Sequence, residues 1–525
     1  MKTKQLFLII LLQTLFAISI QAEEFRVQEN LHFNSALLNT AIGYSIVLPS
    51  DYYISGKSYP VIYFLHGVGD NEASWLEYGQ ITQYMDRMVR DNIISPFICV
   101  MPQGYRSYYS NSYAGDFPYQ DMFVKELIPF IDHNYRTYTT ADKRGIMGYS
   151  MGGFGALVLP IKYPDLFHVS IPLSASIRTD KQYMDEEQKG WNQQWGKIFG
   201  GENKTGIDRL TDYYKQNSPY HLILNKKVED LKKIAFFIEN GDKENTLCRS
   251  NEELHLLMVE KKIPHIYNVR DGAHDFKFWC ESIPEAFRFA DCEFNNKQYL
   301  EVDTFKYTIN KSEQQFWEED VSLPGGNFNV FYPENQQVVH RSYPTVYFVS
   351  QLSENEQKQL ICLYQQEIQK GMAAPMLFCF LPSELDDAFF NKAIQYMEKN
   401  RPAREGRRFR AIWSYRKGGA NVLEQALIQD KFTACIFTDS EILIESQMLE
   451  KLITDHESTR NNLRLYVDTP PDGISYPANG FLHINLREHS FTHEYRVRHK
   501  YKDDFSFLKS GFPLVVNFVS KRFHN

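Results

Sequence analysis

A serine hydroxyl, an imidazole and a carboxylate can together perform acyl transfer, and this 525-residue chain carries such residues in a usable order. Gly148-Tyr149-Ser150-Met151-Gly152 reads Gly-x-Ser-x-Gly. So short a pattern recurs by chance, and its surroundings carry the weight. A strand-like run, Arg144-Gly145-Ile146-Met147, leads into it, and a small-residue, helix-like run, 152–158, follows. Strand, sharp turn and helix present a serine hydroxyl at the top of a sheet, with small neighbours so that strand and helix approach closely. The hydroxyl is a poor nucleophile until a base removes its proton, and that base must be oriented by a third group, usually a carboxylate.

In folds of this layout the chain order is serine, then acid, then histidine. His274 is the best base: it lies in Asp271-Gly272-Ala273-His274-Asp275-Phe276, after the strand-like 266–269, and small residues before it let the loop fold over the sheet edge. His221, His255 and His265 are alternatives; His255 sits in a helical run and His265 at a strand start, so both read as structural. The acid should follow the strand-like 234–238, in Glu239-Asn240-Gly241-Asp242-Lys243-Glu244-Asn245. Asp242 and Glu244 both qualify by position, and either reads equally as a solvated loop charge. Loop geometry decides which carboxylate reaches the imidazole. The oxyanion of a tetrahedral intermediate needs preorganised donors. One is expected from the backbone N–H of Met151. The other is expected from Val68, with Gly67 second, in the turn Leu65-His66-Gly67-Val68-Gly69-Asp70. His66 precedes the serine and reads as a residue that holds this turn in shape. In the chemistry these groups support, Ser150 attacks an ester carbonyl, His274 takes its proton, and activity falls where His274 becomes protonated.

The elements that must position these groups are strands of a mostly parallel, doubly covered sheet. From Leu31 to about Asp291, apolar strand-like runs at 44–49, 61–65, 97–101, 145–147, 169–173 and 234–238 alternate with helical patterns such as 81–90 and 119–133. Sites in such α/β sheets form at the carboxyl ends of the strands, where Ser150 falls. The length implies more than one domain, and 43% hydrophobic residues suffice for buried cores. A net charge of −8 gives no electrostatic reason to expect nucleic acid or an anionic membrane as partner.

Residues 1–22 read as an export signal: Lys2 and Lys4, an apolar run at 6–20, and Ile20-Gln21-Ala22 ahead of Glu23-Glu24. An uncleaved anchor helix is the alternative. No cysteine follows the run to carry a lipid, and no other segment is long and apolar enough to span a bilayer. The expectation is an exported protein, periplasmic or extracellular, with no membrane span after signal removal. Seven cysteines are sparse and form no C-x-x-C. Cys99, Cys362, Cys379 and Cys435 read as buried small hydrophobes, whereas Cys248, Cys280 and Cys292 are placed in loops, where an oxidising compartment could join two of them. No ligand cluster or phosphate loop is evident, so no metal and no organic cofactor is expected.

Several motifs recur in an order that resembles a known family. They are Leu65-His66-Gly67 with Trp75, 126–132, Tyr135-Arg136-Thr137, 144–156, Tyr163-Pro164-Asp165-Leu166-Phe167, and Gly272-Ala273-His274-Asp275-Phe276. Over roughly residues 30–290 they resemble the esterase D-like "putative esterase" family of α/β-hydrolases. The resemblance implies an α/β-hydrolase fold and a serine carboxylesterase; the family includes feruloyl and acetylxylan esterases, siderophore esterases, mycolyl transferases and S-formylglutathione hydrolase. Its acid usually lies three residues after a glycine, which from Gly241 favours Glu244 over Asp242, although the family more often has Asp there. A departure is Pro160, which removes a helix hydrogen bond and should kink or end the helix after the elbow.

The second half repeats the first in order. The run 58–65 is echoed by 342–349, 144–153 by 410–419, Tyr267-Asn268-Val269-Arg270 by Tyr495-Arg496-Val497-Arg498, and 274–279 by 503–508. The expected organisation is an α/β-hydrolase esterase domain over 23–295 and a second α/β domain over 296–525, a degenerate copy. Arg416 stands there for Ser150, Asp503 for His274 and Ser350-Gln351 for His66-Gly67, so the copy should be inactive. Expected roles for it are docking against and stabilising the first domain, shaping the cleft, glycan binding or homodimer formation. The expected substrates are feruloyl or acetyl esters of polysaccharides, with a catecholate siderophore ester as runner-up. A non-catalytic glycan-binding scaffold and an exported serine peptidase are the readings from other classes. Tyr105, Tyr108, Tyr109, Trp191 and Trp195 could present aromatic faces to sugars or phenolic acids; each reads equally as packing.

Overall fold

A sheet that places a serine at a strand end needs its central strands buried on both faces, and four of the strand-like runs form such strands. The computed structural model describes residues 25–299, 317–333, 342–384, 386–499 and 503–524; the signal-like residues 1–22 and residues 300–305 at the expected domain boundary lie outside them. The chain parts into two units. One follows the chain to Ile238 and takes in Glu260–His265 and Asp275–Tyr299; the other holds Glu239–Val259, Ile266–His274 and the chain beyond residue 300.

In the first unit, β1 (Arg26–Ser35) and β2 (Thr40–Leu48) form an antiparallel pair, with Ser35 opposite Thr40. β3 (Val61–Leu65), β4 (Ile98–Pro102), β5 (Arg144–Tyr149) and β6 (Val169–Leu173) are buried at every position. β2 pairs antiparallel with β4, β3 pairs parallel with β4 and β5, and β5 pairs parallel with β6. The order β1-β2-β4-β3-β5-β6, with helices between the parallel strands, is that of the α/β-hydrolase fold. β1 is largely exposed and polar, so it carries no apolar run that a sequence reading could take for a strand. β7 (Ala235–Gly241) begins beside β6, where the Ala235 N–H donates to the His168 carbonyl at 2.7 Å. β8 (His265–Arg270) belongs, but for His265, to the second unit.

In the second unit, β9 (Trp317–Leu323) and β10 (Gly326–Tyr332) are antiparallel, and β10 pairs antiparallel with β12 (Leu377–Pro382). β12 runs parallel to β11 (Thr345–Ser350), and β11 to β13 (Arg410–Tyr415). β13, β14 (Ala434–Thr438), β15 (Arg464–Thr469) and β16 (His493–Val497) continue the sheet in parallel, and β8 joins β16 antiparallel, Val269 opposite Val497. The order β9-β10-β12-β11-β13-β14 repeats β1-β2-β4-β3-β5-β6, strand sense by strand sense. Its core stacks Phe348 on Trp413 at 4.4 Å and Trp413 on Phe512 of helix Asp504–His524 at 5.3 Å.

Two sequence expectations need correction. Cys248, Cys280 and Cys292 lie in helices Asn245–Glu260 and Phe276–Phe294 rather than in loops, because the polar residues around them form the outer faces of amphipathic helices. All seven cysteines are free, and burial pushes the Cys248 thiol up to about 12. No described helix is long and apolar enough to cross a membrane.

Candidate active site

Ser150 stands between β5 and helix Met151–Lys162 with φ 57° and ψ −117°, a conformation that costs energy for any side chain and persists only where the surroundings over-determine it. The surroundings do so. The Ser150 N–H donates to the Leu173 carbonyl at 3.1 Å, and the Ser150 carbonyl accepts from the Ser176 N–H at 2.9 Å. The flanking glycines are steric requirements. A Cβ on Gly148 would stand 2.4 Å from the Gly152 carbonyl oxygen, and one on Gly152 would stand 2.2 Å from that of Leu65. The helix then runs two residues past Pro160, which has no N–H for the Ala156 carbonyl; the Ser170 hydroxyl of β6 donates to that carbonyl instead, at 2.7 Å.

The turn after β3 is fixed from several sides. His66 Nε2 accepts from the Gly104 N–H at 2.7 Å, so Nδ1–H donates to the Gly67 carbonyl at 2.8 Å, and burial holds the imidazole below its usual pKa. Trp75 Nε1–H donates to the Leu65 carbonyl at 3.1 Å, and the Tyr149 hydroxyl to Asp70 at 2.6 Å. Val68 is half-buried at the tip, before Gly69 with φ 91°, and Met151 is buried at the helix start.

Ser150, Met151 and Val68 belong to the first unit; Asp242, Glu244 and His274 belong to the second. There the structure pairs His274 with Glu244, Nδ1 to Oε2 at 3.0 Å. The other Glu244 oxygen accepts from the Gly241 N–H at 3.0 Å, so both carboxylate oxygens are engaged. The Glu244 side chain is fully buried and that of His274 is 38% exposed. Asp242 turns elsewhere. Its Oδ2 accepts from the Tyr495 N–H and Arg496 Nη1, each at 2.9 Å, and its Oδ1 from the Gly272 N–H at 3.1 Å. Burial raises the Asp242 pKa, while Arg496 and the two N–H groups oppose that shift. Of the other histidines, His255 stacks on Tyr267, His265 Nδ1 donates to the Ile263 carbonyl, and His221 contacts Asp180.

Four of the five aromatic candidates, Tyr108, Tyr109, Trp191 and Trp195, are buried, and Tyr105 is 38% exposed. The loop carrying Tyr105, Tyr108 and Tyr109 is strained, with all three at φ near 51°. Tyr108 OH lies 3.3 Å from the hydroxyl of Ser176, the residue whose N–H holds the Ser150 carbonyl, and accepts from Gln194. No motif in the chain marks Ser176 or Gln194. Among the described residues, no group of three or more His, Cys, Asp and Glu is placed to hold a metal ion.

The second half has its own elbow. Arg416 follows β13 with φ 60°; its N–H donates to the Thr438 carbonyl at 3.3 Å, and its carbonyl accepts from the Glu441 N–H. Ser414 stands where Gly148 stands, and the helix after it begins only at Gly419, behind Gly418 with φ 87°. A side chain at that place forces the helix back, which loosens the turn. Arg416 forms an ion pair with Asp504. Arg464 matches Ala235, since each N–H bonds a carbonyl just before the neighbouring strand, Thr433 and His168. Counting onward from these two, Gly473 occupies the place of Glu244.

Residues 35–290 match the family described as "Putative esterase". An esterase of Mycobacterium tuberculosis is 35% identical over 155 residues, 28% of this chain and 32% of that protein. An endo-1,4-beta-xylanase/feruloyl esterase of Xylanibacter ruminicola is 32% identical over 182 residues, 33% of this chain and 24% of that protein. The chain thus spans about a third or less of the length of these two relatives. A solved ferulic acid esterase is 25% identical and covers 51% of this chain and 99% of its own, with a TM-score of 0.43.

Proposed function

We propose, from the match of residues 35–290 to the "Putative esterase" family, that the protein is an exported serine carboxylesterase that hydrolyses feruloyl or acetyl esters of carbohydrate. The observation that carries the reading is the Glu244–His274 pair at 3.0 Å; the strained strand-to-helix elbow at Ser150 supports it. A carboxylate on Nδ1 sets the tautomer and turns Nε2 into the proton acceptor. In this reading Ser150 is the nucleophile and His274 the base that takes its proton. Glu244 orients the imidazole and stabilises its charge, and the N–H groups of Val68 and Met151 hold the oxyanion. The alcohol leaves with the proton from His274, and water hydrolyses the acyl-enzyme by the same route. The carbohydrate ester draws on the Xylanibacter relative, whose name couples xylanase with feruloyl esterase. Export draws on residues 1–22.

The second half, in this reading, is a drifted copy of the first that has lost its chemistry. The repeated strand order and the second elbow support the common layout, and Arg416, Gly473 and Asp503 at the three catalytic places support the loss.

The test is hydrolysis of methyl ferulate, an aryl acetate, acetylated xylan and a catecholate siderophore by wild type and Ser150→Ala, with fluorophosphonate labelling alongside. The expected result is labelling and turnover of the first three substrates by wild type, all lost in Ser150→Ala. Full activity in Ser150→Ala sinks the assignment, and turnover of the siderophore alone replaces the substrate.

A further inference from the structure

We propose that the second half of the chain is a working part of the candidate active site, and that Arg496 is a positioning residue that sets the Glu244–His274 pair through Asp242. This rests on the esterase reading and adds a role for the half that carries no triad.

Asp242 stands two residues before Glu244, and Gly272 two residues before His274. The Asp242 carboxylate, fully buried, ties these two loops together by accepting the Gly272 N–H at 3.1 Å. The main chain reinforces the tie: the Asp242 N–H donates to Arg270 and the Lys243 N–H to Gly272, each at 2.9 Å. What anchors the tied loops comes from β16 and the helix Tyr476–Glu488 before it. The Tyr495 N–H and Arg496 Nη1 both donate to Asp242 Oδ2, and Arg487 donates to the Asp242 carbonyl. Tyr495 also holds the element that follows the loop: its hydroxyl bonds Glu252 Oε1 at 3.2 Å, in the helix that starts directly after Glu244.

Arg496 is 10% exposed, and its planar fork divides between Asp242 and Glu494. A buried carboxylate stays in place only while its charge is met, so removing the guanidinium leaves Asp242 with every reason to move toward water. Glu244 and His274 move with it. The chain points to the same residue. Arg270 pairs with Glu239 and Arg498 pairs with Asp468 in matching places of the two halves, whereas Arg496 stands where the first half has Asn268. Its guanidinium is therefore peculiar to the second half. It is directed at the acid loop of the first.

A misplacement of the base by about 1 Å costs roughly 100-fold in rate. The experiment uses the full chain as wild type, Arg496→Met, Arg496→Lys and the charge-balanced double variant Asp242→Asn/Arg496→Met, with an aryl acetate as substrate. Active sites are titrated with a fluorophosphonate, so that kcat is counted per competent serine, and Tm is measured on the same samples. Arg496→Met is expected to lose about 10- to 100-fold in kcat per titrated site, with KM nearly unchanged and part of the loss recovered in Arg496→Lys. Should the single methionine variant not fold, the double variant, which relieves Asp242 of its unmet charge but still lacks the tie from Arg496 to the acid loop, carries the same expectation. A folded Arg496→Met or double variant with wild-type kcat per titrated site overturns the proposal, whatever its Tm. That failure is distinct from failure of the esterase reading, in which wild type is not labelled or Ser150→Ala keeps its activity.

Discussion

Glu252 supplies a stability test that does not depend on substrate. Its carboxyl lies in helix Asn245–Glu260, 1% exposed, and accepts from Tyr267 at 3.1 Å and Tyr495 at 3.2 Å. Gly480 closes one side so tightly that a Cβ there would stand 2.3 Å from Glu252 Oε1. Burial pushes the carboxyl from 4.5 up to about 7, and the tyrosine hydroxyls only partly offset that rise. A carboxyl whose pKa is raised on folding binds its proton more tightly in the native state. Its contribution is fully present below about pH 4.5 and is lost as the pH rises through about 7. At about 1.4 kcal/mol per pH unit, the whole span amounts to about 3 kcal/mol. In a unit of this size that corresponds to roughly 6 °C or more in Tm. Glu252→Gln keeps the shape, retains an acceptor for a tyrosine and removes the titration. Wild type and Glu252→Gln are to be unfolded thermally from pH 4.5 to 8.5 at constant ionic strength. The variant should gain on wild type by about 6 °C across that range, most of it between pH 5 and 7.5. Parallel Tm profiles for the two proteins would refute the reasoning, because every other titrating group is common to both.

Two further outcomes test the elbows. Ser170→Ala leaves the Ala156 carbonyl, already without an N–H partner because of Pro160, buried and unpaired; the variant should lose about 1–3 kcal/mol in denaturant unfolding. Combining it with Pro160→Ala, which restores the helix donor, should return part of that loss. Arg416→Ser in a Ser150→Ala background places a serine at the second elbow, and fluorophosphonate should still not label it, since Gly473 has no carboxylate and Asp503 no imidazole at the places that match Glu244 and His274.

Much of the fold was legible because buried parallel strands are written as continuous apolar runs. β3, β4, β5 and β6 lie where such runs occur, and the elbow is marked by glycines that sterics demand at 148 and 152. β1 escaped because an exposed edge strand needs no apolar run, and Cys248, Cys280 and Cys292 were misplaced because helix surfaces and loops share polar residues. The similar order of runs in the second half was readable for the same reason as the strands: its buried parallel strands are also continuous apolar runs. Residue types and order thus determine the α/β-hydrolase layout, the candidate serine and the candidate base. They leave Asp242 and Glu244 equal, since both are carboxylates on one short loop. The family's spacing leans to Glu244, and tertiary structure separates the two by supplying different partners. Gly241 and His274 claim Glu244, while Tyr495 and Arg496, some 250 residues onward, claim Asp242. A carboxylate's role is set by the donors around it, and those donors meet only when the chain has folded.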